Sequence, residues 1–406
     1  MNRIAKLSPE ERSALWQVFF HPDITRLKLM ELLQTSHLTV SNTIKTLEKA
    51  GLLCRSGKMQ GESGRPSTTY RIDKKAGTAL GVHLDADSIR FVLIDAFSDL
   101  LMEWSTEFSL PAQDGWEQED YIDLLESSIR NGLARIQETS YGKPASIGIS
   151  LPGMVDSEKG IWISGLQLQG IRNIPLGREL QRRLGIPVSI EDSARSLIVL
   201  EKIRGAARGY SDIILLYLGR GMGTGIVVHD RIVRGFRGTA GEIGHIPHGA
   251  SKYRCSCGNI GCFETVVSAS GIVRIFSDRL AEGVSSRLQR HRNANGEGYS
   301  LNLEDILEAA HEGDHLSIRT LAEIGVYIGD ACDILIKLFN PQILLITGVG
   351  SIFSDYLKNS VESTIGIKIA PEISKDFSVV FPGYQQNYEA WGAAMVSISE
   401  SLEAAH

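Results

Sequence analysis

Four side chains in one short stretch carry the most specific chemistry in the sequence: His245, Cys255, Cys257 and Cys262, spaced H-x9-C-x-C-x4-C. Three thiolates and an imidazole suit tetrahedral zinc. Gly258 and Gly261 let the backbone fold so that sulfurs two and five residues apart converge on one ion. Four protein ligands leave no open coordination position, so the expected zinc is structural. The competing reading, buried cysteines beside a coincidental histidine, is disfavoured by the crowding of three of the five cysteines into eight residues.

Carboxylates flank this cluster. Glu242 lies three residues before His245, and Glu264 two residues after Cys262. Metal on one ring nitrogen of His245 fixes its tautomer and leaves the other nitrogen to face a ligand, while both carboxylates can accept hydrogen bonds from hydroxyls. That chemistry suits a sugar. Either glutamate taken alone reads as a solvated charge. A second acidic pair, Glu191-Asp192, ends one strand and opens a helix. Asp192 there is either a base or acceptor for a sugar hydroxyl or simply an N-cap, and spacing alone favours the cap.

Charge divides the chain. Residues 1–75 hold thirteen Lys or Arg against seven Asp or Glu, net +6, which leaves net −12 for residues 76–406. A basic head on an acidic body points to a nucleic-acid-binding module joined to something with another task. Within the head, Ser8-Pro9-Glu10-Glu11 reads as a capping box opening a helix that His21-Pro22 stops. A second helix begins near Thr25, and a third runs from about Thr39 to Ala50 with Val40, Ile44 and Leu47 as its apolar stripe. Ser41, Asn42, Thr43 and Lys45 are expected on the opposite face, toward a DNA major groove. Leu52–Arg55 and Thr69–Ile72 read as two strands of a wing joined by a loop from Ser56 to Ser67, with Arg65 of Gly64-Arg65-Pro66 placed for a minor groove. The alternative is a three-helix module that binds protein.

The body, beginning after Lys74-Lys75-Ala76-Gly77, alternates predicted strands (Gly81–Asp95 as a hairpin, then near 145–150, 188–190, 213–218, 225–228 and 343–346) with helices, so the fold class is mixed α/β. Arg292 to Ser300 reads as a surface loop. With 43% hydrophobic and 22% charged residues and only 12 prolines, extended disorder and collagen are excluded. No apolar run approaches the ~18 residues of a membrane span, and Met1 to Gln17 lacks the apolar stretch a secretion signal needs. The expected location is cytoplasmic, without membrane insertion.

Gly241-Glu242-Ile243-Gly244-His245 and the segment ending in Cys262-Phe263-Glu264, together with Leu151-Pro152-Gly153-Met154-Val155-Asp156, Phe339-Asn340-Pro341-Gln342 and Gly392-Ala393-Ala394, resemble the ROK family of repressors, open reading frames and kinases. The resemblance runs from about Thr25 to Ala394. It implies a winged helix-turn-helix followed by a two-lobed actin-like ATPase (ribonuclease H-like) sugar-kinase fold, with sugar in the interlobe cleft. It also implies zinc on His245, Cys255, Cys257 and Cys262, and sugar contacts from Gly153, Glu191, Asp192, Glu242, His245 and Glu264. The expected domains are a winged helix-turn-helix over 1–75, a first lobe over 76–190, and a second lobe over 191–406.

Family kinases carry an Asp-x-Gly-Gly-Thr phosphate loop in the first hairpin, where this chain has His83-Leu84-Asp85-Ala86-Asp87. Two carboxylates stand where phosphate oxygens need donors, and like charges near 4 Å cost about 4 kcal/mol at an effective dielectric of 20. The second phosphate hairpin persists as Leu218 to Gly225, with Arg220 in place of threonine. The chain therefore resembles the repressor branch and is expected not to be an enzyme. The expected function is a sugar-responsive, homodimeric or higher-order repressor of carbohydrate genes that binds operator DNA and is released by sugar. Two alternatives are an ATP-dependent sugar kinase with a DNA-binding head and a repressor controlled by a phosphotransferase-system protein.

Overall fold

The computed structural model describes residues 4–60, 66–109, 116–165, 168, 170–249, 251–289, 301–348, 354–375 and 377–403. Arg65 and the expected loop Arg292–Ser300 lie outside them. Three helices open the chain, each started by a side-chain cap. Ser8 Oγ accepts from Glu11 N at 3.2 Å and the Glu11 carboxylate accepts from Ser8 N at 2.9 Å, starting α1 (Pro9–Phe20). Thr25 caps α2 (Arg26–Leu33), which Gln34 ends in a left-handed conformation. Ser36 caps α3 (His37–Lys49), two residues ahead of the expected start. Leu15, Val18, Phe19, Leu29, Val40, Ile44 and Leu47 form the buried centre.

The wing strands are longer than expected. β2 (Leu53–Gln60) and β3 (Pro66–Ile72) pair antiparallel, and short β1 (Ile24–Thr25) joins β3 on its other side. An irregularity between Arg55 and Gly57 resets the register, so pairing continues through residues whose polar, glycine-containing sequence reads as loop.

By its contacts the chain separates into two units: Met1–Gly209, Phe236–Thr239 and Gln386–His406 form one, Tyr210–Gly235 and Ala240–Gln385 the other. These units cut the chain elsewhere than the expected boundary at 190/191. Residues 191–209 and the C-terminal helix Tyr388–Glu403 both join the first unit.

In the first unit the sheet order is β10-β7-β4-β5-β6, built from β4 (Thr78–Leu84), β5 (Ser88–Asp95), β6 (Leu100–Glu107), β7 (Ser146–Leu151) and β10 (Val188–Asp192). A short hairpin, β8 (Met154–Asp156) and β9 (Ile161–Ser164), follows β7. α4 (Gln118–Gln137) and α5 (Leu176–Leu184) bury Leu125, Ile129 and Leu180 against Leu80, Val82 and Ile147. Gly81 and Gly148 sit opposite each other in register, and a Cβ on either would lie 1.8 Å from the Ala390 or Ala393 carbonyl oxygen. That glycine floor, facing the small residues Ala390, Ala393 and Ala394, lets the C-terminal helix lie directly on the sheet. Gly392 lets it pass equally close to α6 (Ser193–Arg204), where a Cβ would meet Ser196 O at 2.0 Å.

The head belongs to this same unit. Trp16 Nε1 donates to Glu403 Oε1 of the C-terminal helix at 2.9 Å, Lys202 of α6 lies over the Phe20 ring at 5.9 Å, and Arg208 pairs with Asp23 at 3.3 Å. The expected joint at Lys74–Gly77 is a turn of 3-10 helix whose Lys74 pairs with Asp99.

The second unit repeats the strand order of the first. Its sheet runs β15-β14-β11-β12-β13, from β11 (Ile213–Leu218), β12 (Met222–Val228), β13 (Arg231–Ile232), β14 (Ile343–Gly348) and β15 (Ser378–Val380). In both units an antiparallel meander is extended on one side by two parallel strands. α7 (Glu264–Val267), α8 (Ala269–Ala281) and the long helix His315–Phe339 cover the second sheet with Phe263, Phe276, Leu321 and Ile328. This duplicated order is that of the two-lobed actin-like ATPase fold.

Candidate functional site

His245 ends a 3-10 turn, Ile243–His245, and the three cysteines lie on a knuckle pinned by bridges from Pro247 to Cys262 and from Arg254 to Ile260. Gly258 and Gly261 have φ of +96° and +82°, and a Cβ on Gly261 would lie 2.8 Å from Ser251 O. All four ligand atoms fall within 4.8 Å of one another, so the group can hold a metal ion. The separation of Cys257 and Cys262 sulfurs is 3.7 Å, and Cys255 Sγ lies 3.4 Å from His245 Nδ1. A tetrahedron with metal–sulfur bonds of about 2.3 Å and a metal–nitrogen bond of about 2.0 Å has edges of roughly 3.8 and 3.5 Å, so the residues fit. Burial first, then the neighbouring sulfurs, pushes the Cys262 thiol up to about 12, and burial also raises Cys255. A bound cation reverses that preference by favouring thiolates.

The structure brings Glu242, His245 and Glu264 together in the second unit. With Nδ1 turned to the sulfurs, His245 Nε2 faces Glu242 Oε2 at 3.7 Å. Glu264 Oε2 accepts from Met222 N at 3.2 Å, tying the second hairpin to α7, and its Oε1 lies 3.9 Å from Cys255 Sγ.

Gly153, Glu191 and Asp192 lie in the first unit. Gly153 has φ +84° and a Cβ there would meet Ser164 O at 2.1 Å, so glycine is required where the chain turns from β7 into the β8–β9 hairpin. Asp192 N-caps α6, with Oδ1 accepting from Arg195 N at 2.8 Å and the carboxylate paired with the Arg195 guanidinium. Glu191 is wholly buried and 3.3 Å from Arg195 Nη1. Arg195, 1% exposed, also donates to the Gly238 carbonyl. From its sequence position alone this arginine reads as a surface or ion-pair residue, with acceptance of a sugar phosphate as the alternative, and the structure makes it a buried ion-pair residue. Its spacing of three and four from the two acids was the available signal. Burial pushes the Asp192 carboxyl above the ordinary aspartate value, with Arg195 pulling the other way.

In the first hairpin, Asp85 Oδ1 accepts from Ala86 N at 2.8 Å, Asp85 Oδ2 lies 3.3 Å from Arg90 Nη1, and Asp85 N donates to Ser88 O at 2.9 Å. Two amides of the turn are thus engaged within it. His83, 5% exposed, is hydrogen-bonded through Nδ1 to Ser150 Oγ at 3.2 Å.

On α3, Asn42 and Lys45 are exposed and Ser41 is half-buried, with its hydroxyl donating to His37 O at 2.7 Å. Thr43 is a correction to the expected DNA face. It is buried, three residues after Val40 and four before Leu47, on the stripe that packs into the head. His37 and Leu38, ahead of the expected start, and Thr39 are exposed at the beginning of the helix.

Fold and site together define a winged-helix head on a two-lobed actin-like ATPase body that carries a Cys3His knuckle. The chain belongs to the ROK family, whose family model matches residues 80–400. It is 28% identical to the DNA-binding transcriptional repressor Mlc of Escherichia coli over 374 residues, 92% of this chain and 89% of that protein. It is also 28% identical to the xylose repressor of Caldicellulosiruptor bescii over 342 residues, 84% and 83% of the two chains. The crystal structure of a ROK family transcriptional regulator, a homolog of E. coli Mlc, superposes with TM-score 0.79 at 26% identity, covering 97% of this chain and 96% of that one. A ROK family glucokinase from Streptomyces griseus, solved with glucose and AMPPNP, shares the fold at TM-score 0.66 and 23% identity, with 99% of it covered by 79% of this chain. Among the described residues no helix is long and apolar enough to cross a membrane.

Proposed function

We propose that this protein is a sugar-responsive DNA-binding transcriptional regulator, a repressor of carbohydrate uptake or catabolism genes that acts as a homodimer on operator DNA and is released by sugar. The observation that carries the reading is the first hairpin. Its Asp85 carboxylate occupies the Ala86 amide and the Arg90 guanidinium, groups that a nucleotide phosphate would need. The names of the repressors Mlc and xylose repressor support the same direction, and the Mlc match, over 92% of this chain, takes in part of the head as well as the body.

In this reading Glu242, His245 and Glu264 of the second unit, with Gly153, Glu191 and Asp192 of the first, recognise sugar hydroxyls. Zinc on His245, Cys255, Cys257 and Cys262 would hold the knuckle closed and orient the His245 ring. Asn42, Lys45 and Ser41 of α3, with Arg65 of the wing, contact DNA. A sugar shifts the DNA-bound population only through its different affinity for the two states.

Thermal shift against a panel of monosaccharides and their phosphates, followed by release of bound duplex DNA by any stabilising sugar, tests the proposal. Stabilisation coupled to release supports it. Sugar-dependent ATP turnover abolished by Asp192→Ala would establish the kinase alternative, and co-purification of a transporter domain with no sugar effect would favour control by a phosphotransferase-system protein.

A further inference from the structure

The exposed face of α3 carries more hydroxyls than it can use for DNA. Ser41 Oγ donates to His37 O at 2.7 Å and Thr46 Oγ1 to Asn42 O at 3.1 Å, each turned back to the preceding helical turn. Thr39 Oγ1 is bonded to the capping Ser36 Oγ at 2.9 Å. Thr43 is buried. Ser41 and Thr46 thus have their hydroxyl protons engaged within the helix and can offer DNA only an acceptor, and Thr43 is withdrawn from the surface.

Two side chains of a different kind remain. Leu38, the second residue of the helix, is a large apolar group left 70% exposed. Asn42 is exposed and, among the described residues, its side-chain amide makes no hydrogen bond within the chain. They stand four residues apart, which on a helix places their Cβ atoms about 5–6 Å from each other on one face. Successive bases along one strand rise about 3.4 Å, so the pair spans one to two base steps. Lys45 and Lys49 are exposed and form no ion pair among the described residues, leaving them for the flanking phosphates.

Resting on the DNA-binding reading above, we propose that Leu38 and Asn42 form a direct-readout pair for an A·T-containing step: Leu38 covers a thymine C5-methyl group, and Asn42 bonds adenine N6 and N7. In the major groove only thymine offers a methyl, and a side-chain amide is the group that matches adenine's donor and acceptor together. The first turn of a recognition helix is the part that approaches base edges. Leu38 is then a specificity residue rather than a stray surface leucine.

The experiment uses the full-length protein and a duplex enriched from a random-sequence library. The thymines of the enriched site are replaced one at a time by deoxyuridine, which removes only the methyl, and the adenines by 7-deazaadenine, which removes only N7. For the native protein, one uracil is expected to weaken binding about fourfold, the worth of one buried methyl. A 7-deazaadenine one or two steps away is expected to weaken it about fivefold or more. Leu38→Ala should bind thymine and uracil duplexes equally, and Asn42→Ala should be indifferent to 7-deazaadenine. Both side chains are exposed, so truncation leaves the head's core intact. Equal binding of natural and substituted duplexes by the native protein overturns the proposal, as does a uracil effect of the same size in Leu38→Ala. Failure to enrich any duplex overturns the DNA-binding reading and this proposal with it.

Discussion

Replacing Arg195 by methionine keeps most of the stem volume and removes the charge that holds Glu191, Asp192 and the Gly238 carbonyl together. Arg195 is 1% exposed and the Glu191 side chain 0%, so the carboxylates left behind have little water to turn to. Breaking a buried pair from one side costs about 3–5 kcal/mol. Burial already raises Asp192, and Arg195 opposes the rise. A carboxyl whose folded pKa exceeds its unfolded value binds a proton on folding. Its contribution is fully present below the unfolded value of about 4 and is lost as pH climbs through the folded value. Removing Arg195 moves that folded value further up, so the variant's deficit widens as pH rises above the native folded value. The five tryptophans, at 16, 104, 116, 162 and 391, all belong to the first unit, so tryptophan fluorescence during urea unfolding reads this unit alone. A deficit below about 1 kcal/mol at neutral pH, or one that shrinks as pH rises, would refute the reasoning.

Gly153→Ala forces an L side chain into φ +84° against the Ser164 carbonyl, and should lower the same fluorescence-detected stability by about 1–3 kcal/mol. Chelation or Cys257→Ser should remove one zinc per chain by atomic absorption and lower the calorimetric transition of the second unit. Because the Cys262 thiol is pushed up to about 12 without a cation, metal affinity should rise with pH, and acidification should release the ion. Lys45→Ala should flatten the dependence of log K on log salt by about 0.9, the value of one phosphate contact on duplex DNA; an unchanged slope would remove Lys45 from the DNA face.

The local features of the fold were legible in the sequence. The Ser8 capping box and the cysteine knuckle depend on residues within one or two turns of each other, and their spacing alone implies the geometry. The polarity of Thr43 suggests an outward face, but its position between Val40 and Leu47 puts it on the buried stripe. The wing strands were read short because a bulge beside Gly57 carries pairing through a polar segment. The fate of the C-terminal helix has no local sign. It returns to the first unit because Gly81 and Gly148, far apart in sequence, meet across a parallel ladder and leave room for its backbone. The role of Arg195 was within reach from its offsets to Glu191 and Asp192, but its burial depends on how the first unit closes around Gly238.

The central claim is that sugar alone, without nucleotide chemistry, governs DNA binding. The most direct measurement is the fluorescence anisotropy of an enriched duplex bound to the full-length protein, titrated with each sugar of the panel in the presence and absence of magnesium and ATP. At least one sugar is expected to release the duplex equally well in both conditions and to be recovered unmodified. Release by no sugar, or release only with ATP and accumulation of a sugar phosphate, would contradict it.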